Sequence, residues 1–102
     1  MKKYKMLLYV NNMQDRRELR SMVYDRVPST TIGKYGRAGT IGYDLKRKEF
    51  FIVTAGKEVK KGKFSYYLNY IDYIDKHSFD EFLQRHKDIY EKLKQFLDTI
   101  NW

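Results

Sequence analysis

Apolar and polar residues alternate from Tyr4 to Val10, with Tyr4, Met6, Leu8 and Val10 on one face and Lys5, Leu7 and Tyr9 on the other. That period of two predicts a strand, and its two fairly apolar faces suit a central one. Asn11-Asn12 ends the run. Asn12 is expected to cap a helix, with Asp15 in its first turn. The helix is expected from Met13 to Arg26, with Leu19, Met22, Val23 and Val27 as its apolar stripe. Pro28 ends it by disfavouring α geometry at Val27.

Residues 28–42 are the least regular stretch, with glycines at 33, 36, 39 and 42, and read as a flexible connection. Thr40–Leu45 and Glu49–Thr54 then read as a hairpin around Lys46-Arg47-Lys48. Phe50-Phe51-Ile52-Val53 is apolar throughout and is expected at the sheet centre. Ala55–Lys63 reads as a glycine- and lysine-rich turn. In Phe64–Asp75 the residues Phe64, Tyr67, Leu68, Ile71 and Ile74 fit helical spacing, but the Tyr/Ile/Phe content favours a strand, which is the expectation here.

The final segment carries a capping-box pair, Ser78 with Glu81. Phe79, Leu83, His86, Tyr90, Leu93, Leu97 and Ile100 follow at steps of four and three. One continuous helix of roughly 34 Å would result. It would overhang a six-residue strand of about 20 Å. Leu97, Ile100 and Trp102 would then need another surface, so a homodimer through the C-terminal helix is expected. The fold class is α+β: a small antiparallel sheet, in the order β-α-β-β-β-α, with a long amphipathic helix on one face. Residues 1–102 suit a single domain.

Composition narrows the chemistry. Hydrophobic residues make up 42% and aromatics 17%, too many for a disordered tail. With no cysteine there is no disulfide, thiolate zinc site or cysteine nucleophile. No apolar run approaches the ~20 residues of a membrane span. The N-terminal apolar run, Met6 to Val10, is too short for a signal-peptide core, so an intracellular, cytoplasmic setting is expected. The formal charge of +8 is uneven: residues 1–63 hold 16 Lys+Arg against six Asp+Glu, and residues 64–102 hold five against seven. Such a concentrated positive field attracts polyanions.

Four groups could carry that contact. Arg16, Arg17 and Arg20 share a helix face with Tyr24; arginine forks match phosphate geometry. Lys34, Tyr35 and Arg37 lie in the glycine loop, where backbone N–H groups can approach a phosphate. Lys46, Arg47 and Lys48 form one turn, and Lys57, Lys60, Lys61 and Lys63 another. If both turns lay beside the helix arginines, they would form one basic rim. Of the ten tyrosines, Tyr35 and Tyr43 have basic neighbours and are stacking candidates. Tyr66, Tyr67, Tyr70 and Tyr73 are expected in packing. His86 is expected as a hydrogen-bonded core residue, and Asp15 and Glu18 as salt-bridge partners of neighbouring arginines. No catalytic constellation, metal-site spacing or cofactor motif emerges.

Ile32-Gly33-Lys34-Tyr35-Gly36-Arg37 resembles the Ile-Gly-x-x-Gly core of KH domains. That resemblance implies a loop clamping an RNA or single-stranded DNA backbone. In size, basic charge and a helix followed by a hairpin, the chain is similar to RelE-type ribonuclease toxins, which implies metal-independent RNA cleavage. Its Tyr-, Lys- and Ile-rich, cysteine-free composition is similar to small accessory proteins of archaeal viruses and phages, which implies a binding role in a host cell. The leading expectation is a non-enzymatic nucleic-acid-binding protein using its basic N-terminal part on phosphates. The alternative is an interaction or inhibitor protein for an acidic partner, and the third reading is the RelE-like ribonuclease.

Overall fold

The computed structural model describes residues 3–29 and 37–102. In chain order these form β1 (Tyr4–Tyr9), α1 (Met13–Arg20), β2 (Val23–Ser29), β3 (Thr40–Asp44), β4 (Glu49–Lys61), β5 (Phe64–Ile74), α2 (Lys76–Arg85) and α3 (Lys87–Thr99). The strands make one sheet in the order β1-β3-β4-β5-β2, antiparallel at every junction. The α+β class with a C-terminal helix on an antiparallel sheet is as expected. The described residues contain one more strand and one more helix than the expected order.

Leu19 of α1, Phe79, Phe82 and Leu83 of α2, and Ile89, Leu93 and Leu97 of α3 all pack against Ile41, Tyr43, Phe50, Ile52 and Ile74. All three helices therefore cover one sheet face. The other face buries Phe51, Val53, Ile71 and Tyr73, with Tyr4 and Met6 against them. Burial on both faces is why Phe50–Val53 reads as an unbroken apolar run, and β4 is the middle strand. β1, expected to be central, is an edge strand. Its register shifts between Met6 and Leu8, so Leu7 and Leu8 both pack on the helix-covered core, which gives an edge strand two apolar faces.

Asn12 caps α1 as expected, its side-chain oxygen accepting from the Asp15 amide at 3.0 Å. The helix stops at Arg20, well short of Arg26. Val23–Ser29 is instead β2, paired with β5. An edge position suits Pro28, whose missing N–H need not serve a neighbour on both sides. Val27, expected in the helix stripe, is 36% exposed.

The hairpin at 40–54 is present, but β4 does not end at Thr54. Ala55–Lys63, expected as a turn, is strand as far as Lys61, followed by Gly62-Lys63. Gly62 has φ +63°, the conformation that a two-residue hairpin turn requires and that glycine adopts without strain. Phe64–Asp75 forms a strand as expected, to Ile74.

The C-terminal helix is not continuous. His86, with φ −118° and ψ 72°, separates helices of ten and 13 residues. The first is capped by Asp75, whose carboxylate accepts from the Ser78 amide and hydroxyl at 3.0 Å each, rather than by Ser78 itself. Glu81 pairs with His77 at 3.0 Å. The break folds the chain back: Leu97 is buried, and Ile100 and Trp102 pack on the same core. Trp102 sits 4.9 Å from the Phe50 ring and its indole N–H donates to Asp80. The three residues expected to seek a partner copy thus have their surface within the chain. Among the described residues no helix is long and apolar enough to cross a membrane.

Phe50 links these parts, its ring lying 4.9 Å from those of Tyr43, Phe79 and Trp102. Replacing it with Ala should cost about 3–5 kcal/mol of folding stability. Chemical denaturation should show that loss as a sharply lowered midpoint, and an unchanged midpoint would contradict this packing.

Candidate nucleic-acid interface

Arg16 is turned inward. Its Nε donates to the Val10 carbonyl at 2.5 Å and its guanidinium also bonds the Tyr9 hydroxyl. Gly39 leaves room for it, since a Cβ there would lie 2.6 Å from the guanidinium. Arg37 stacks on the Tyr9 ring at 3.6 Å. Arg16 and Arg37 are therefore held on one tyrosine where β1 ends.

Next to them, Arg16, Arg20 and Arg26 line a cavity of about 350 Å³ with Gly39, Thr54 and Ala55. Arg26 makes a forked pair with the fully buried Asp72, at 2.7 and 2.9 Å. Thr54 donates to the same carboxylate at 3.0 Å. The hydrogen bond to Asp72, opposed by desolvation, raises the Arg26 pKa above its ordinary value. Arg20 and Arg17 make no ion pair among the described residues. The sequence reading missed Arg26 because it placed that residue in a helix.

Beyond Ala55 the sheet narrows to a ribbon. Lys57–Lys61 pairs with Phe64–Leu68, and neither segment pairs with any other strand among the described residues. The register shifts between Thr54 and Lys57. Gly56 occupies that bulge, where a Cβ would lie 1.5 Å from the Leu68 carbonyl oxygen, so no other residue fits without moving backbone. Lys57, Lys60, Lys61 and Lys63 are exposed on the ribbon and make no ion pair among the described residues.

Lys46, Arg47 and Lys48 lie at the opposite end of β4. Thirteen residues at ~3.3 Å each put the two basic turns roughly 40 Å apart, so the single rim does not form. Arg47 is used internally. It pairs with Asp25 at 3.0 Å and Glu49 at 3.2 Å, and covers the Tyr73 ring at 3.5 Å. Buried Asp44 organises this turn, accepting from the Lys46 and Arg47 amides at 2.9 Å and from the Tyr73 hydroxyl at 2.5 Å. Burial and the Asp44 contact push the Tyr73 phenol well above its ordinary pKa. Tyr43, a stacking candidate by sequence, is only 6% exposed and packs on Phe50 and Phe96, out of reach of any base. Lys34 and Tyr35, with the glycine motif around them, lie outside the described residues.

Asp15, Glu18 and His86 offer ligand atoms within 4.8 Å of one another. The carboxylates approach opposite ring nitrogens, however: Glu18 lies 2.8 Å from Nε2 and Asp15 3.7 Å from Nδ1. One metal ion cannot occupy both sides of an imidazole, and Glu18 also pairs with Arg85. The arrangement is a clamp joining α1 to the α2–α3 break, formed with Arg85 and His86 rather than the neighbouring arginines expected. His86 stacks on Phe82 at 4.2 Å within it. A larger cavity of about 680 Å³, beside Asp80, Lys87, Glu91 and Trp102, mixes both signs of charge.

Scans against protein-family models, curated proteins and solved structures return no match.

Burial alone would raise the Glu18 pKa, but the hydrogen bonds and charges of His86 and Arg85 outweigh it and hold the group below 4.5. A depressed carboxylate contributes stability above its unfolded pKa and loses it as pH falls through the folded one. Glu18→Gln should therefore lower the urea midpoint at pH 7. The difference should shrink progressively as the pH falls through the lowered pKa of Glu18, where the wild type also loses the charge. A pH-independent difference would contradict the clamp.

Proposed function

We propose that this chain binds nucleic acid, with the end carrying α1 and the β4–β5 ribbon set against the phosphate backbone. The observation that carries this reading is the company of unneutralised cations there. Arg20, which lines the cavity with Thr54 and Ala55, and Lys57, Lys60, Lys61 and Lys63 on the ribbon make no ion pair among the described residues, and Glu58 is the one acidic residue on the ribbon. At the opposite end Arg47 is consumed by Asp25 and Glu49, leaving Lys46 and Lys48. Arg16, Arg26 and Arg37 support the site by fixing Tyr9 and Asp72 rather than by meeting ligand first. Lysines on a narrow ribbon follow a backbone of phosphates, and each phosphate neutralised releases counterions.

Binding to a duplex should weaken steeply with salt, and Lys60→Gln with Lys61→Gln should reduce the slope of log K against log salt by roughly 1.8. Lys46→Gln with Lys48→Gln should leave the slope unchanged. Fluorescence anisotropy across a salt series measures both. Absence of binding to any single- or double-stranded probe at ~50 mM salt would overturn the reading, as would RNA cleavage in the presence of chelator.

A further inference from the structure

Phe64 is 79% exposed, more than any other large hydrophobic side chain among the described residues, and it stands where the ribbon turns. It pairs in register with Lys61, so it shares a ribbon face with Lys61, Val59 and Lys57. Lys60 and Glu58 face the other way, and Lys63 occupies the turn beside Phe64. The cations thus surround the ribbon instead of lying on one side of it. A flat anionic surface, such as a membrane, meets one face of a ribbon; the two phosphate walls of a groove meet both.

From this juxtaposition of an exposed ring and lysines on both faces, we propose that the ribbon enters the minor groove of duplex DNA and that Phe64 wedges between base pairs, unstacking one step and kinking the helix. The proposal rests on the nucleic-acid reading above and adds to it the form of the ligand and the role of an apolar residue. Lys57–Lys61 spans about 15 Å, roughly twice the ~7.5 Å depth of the groove. The tip therefore reaches base edges while Lys57 stays outside the groove, its long side chain turned back toward the phosphates. Apolar wedges of this kind kink duplexes by about 20–90°, and the unstacking is offset by the contacts that the bent DNA makes. The bulge at Gly56 bends the ribbon where it leaves the sheet and sets its angle of entry.

The test uses the full chain and a duplex of about 30 base pairs labelled at both ends, with energy transfer reporting the bend and anisotropy the affinity. The wild type should draw the ends together. Phe64→Ala, at an exposed position, should fold normally and keep the salt slope, yet lose most of the bend and roughly tenfold in affinity. Phe64→Leu should retain part of both. A central mismatch, already easier to unstack, should bind the wild type more tightly and leave Phe64→Ala indifferent. If Phe64→Ala bends and binds the duplex like the wild type, the wedge is wrong although the nucleic-acid reading survives. Loss of binding to phosphatidylserine vesicles by Phe64→Ala, with DNA affinity intact, would assign the ring to a membrane and overturn the proposal. A wild type that binds single strands but no duplex would overturn the wedge alone, and one that binds neither would remove the broader reading as well.

Discussion

The rings of Tyr43, Phe79 and Trp102 all lie 4.9 Å from the ring of Phe50, which joins β3, α2 and the C-terminus to the middle strand. Edge-to-face and tilted contacts of this kind add to what buried area alone contributes. They hold the first half of β4 in the sheet, and the second half leaves it paired with β5 alone among the described residues. The transition is made at one bulge, where Gly56 lies too close to the Leu68 carbonyl for a side chain. A rigid platform and a protruding basic ribbon are thus the two ends of one strand of 13 residues. The clamp of Glu18 on His86 and Arg85 ties α1, and with it Arg17 and Arg20, to that platform.

Elements with a strong local signal were legible in the sequence. The hairpin around Lys46–Lys48, the middle position of Phe50–Val53, the strand from Phe64 and the Asn12 cap all announce themselves through local pattern. Three features did not, each for a physical reason. Val23 and Val27 fit both a helical stripe and a strand, and seven residues are too few to separate the periods. The break at His86 contains no glycine or proline, and the steps of four and three run through it because both helices rest on the same core. The ribbon has little buried face to impose a period of two, so its glycines and lysines look like a turn.

The site was legible in part. Charge counting singled out Arg17, Arg20, Lys60, Lys61 and Lys63, which make no ion pair among the described residues. It also singled out Arg16 and Arg47, which the fold spends on Tyr9, Asp25 and Glu49. A count of charges does not distinguish a cation facing solvent from one satisfied inside the chain. Phe64 belongs to the acidic part of the sequence, yet the ribbon carries it to the basic end of the molecule.

In the proposed complex the ligand meets the ribbon and α1 and not the opposite turn. Amide chemical shifts of the isotopically labelled protein, followed while duplex DNA is added, test it most directly. The largest changes should fall on Arg20 and residues 57–64, with Leu45–Lys48 unmoved. Changes concentrated on Leu45–Lys48, or on the outer faces of α2 and α3, would contradict it.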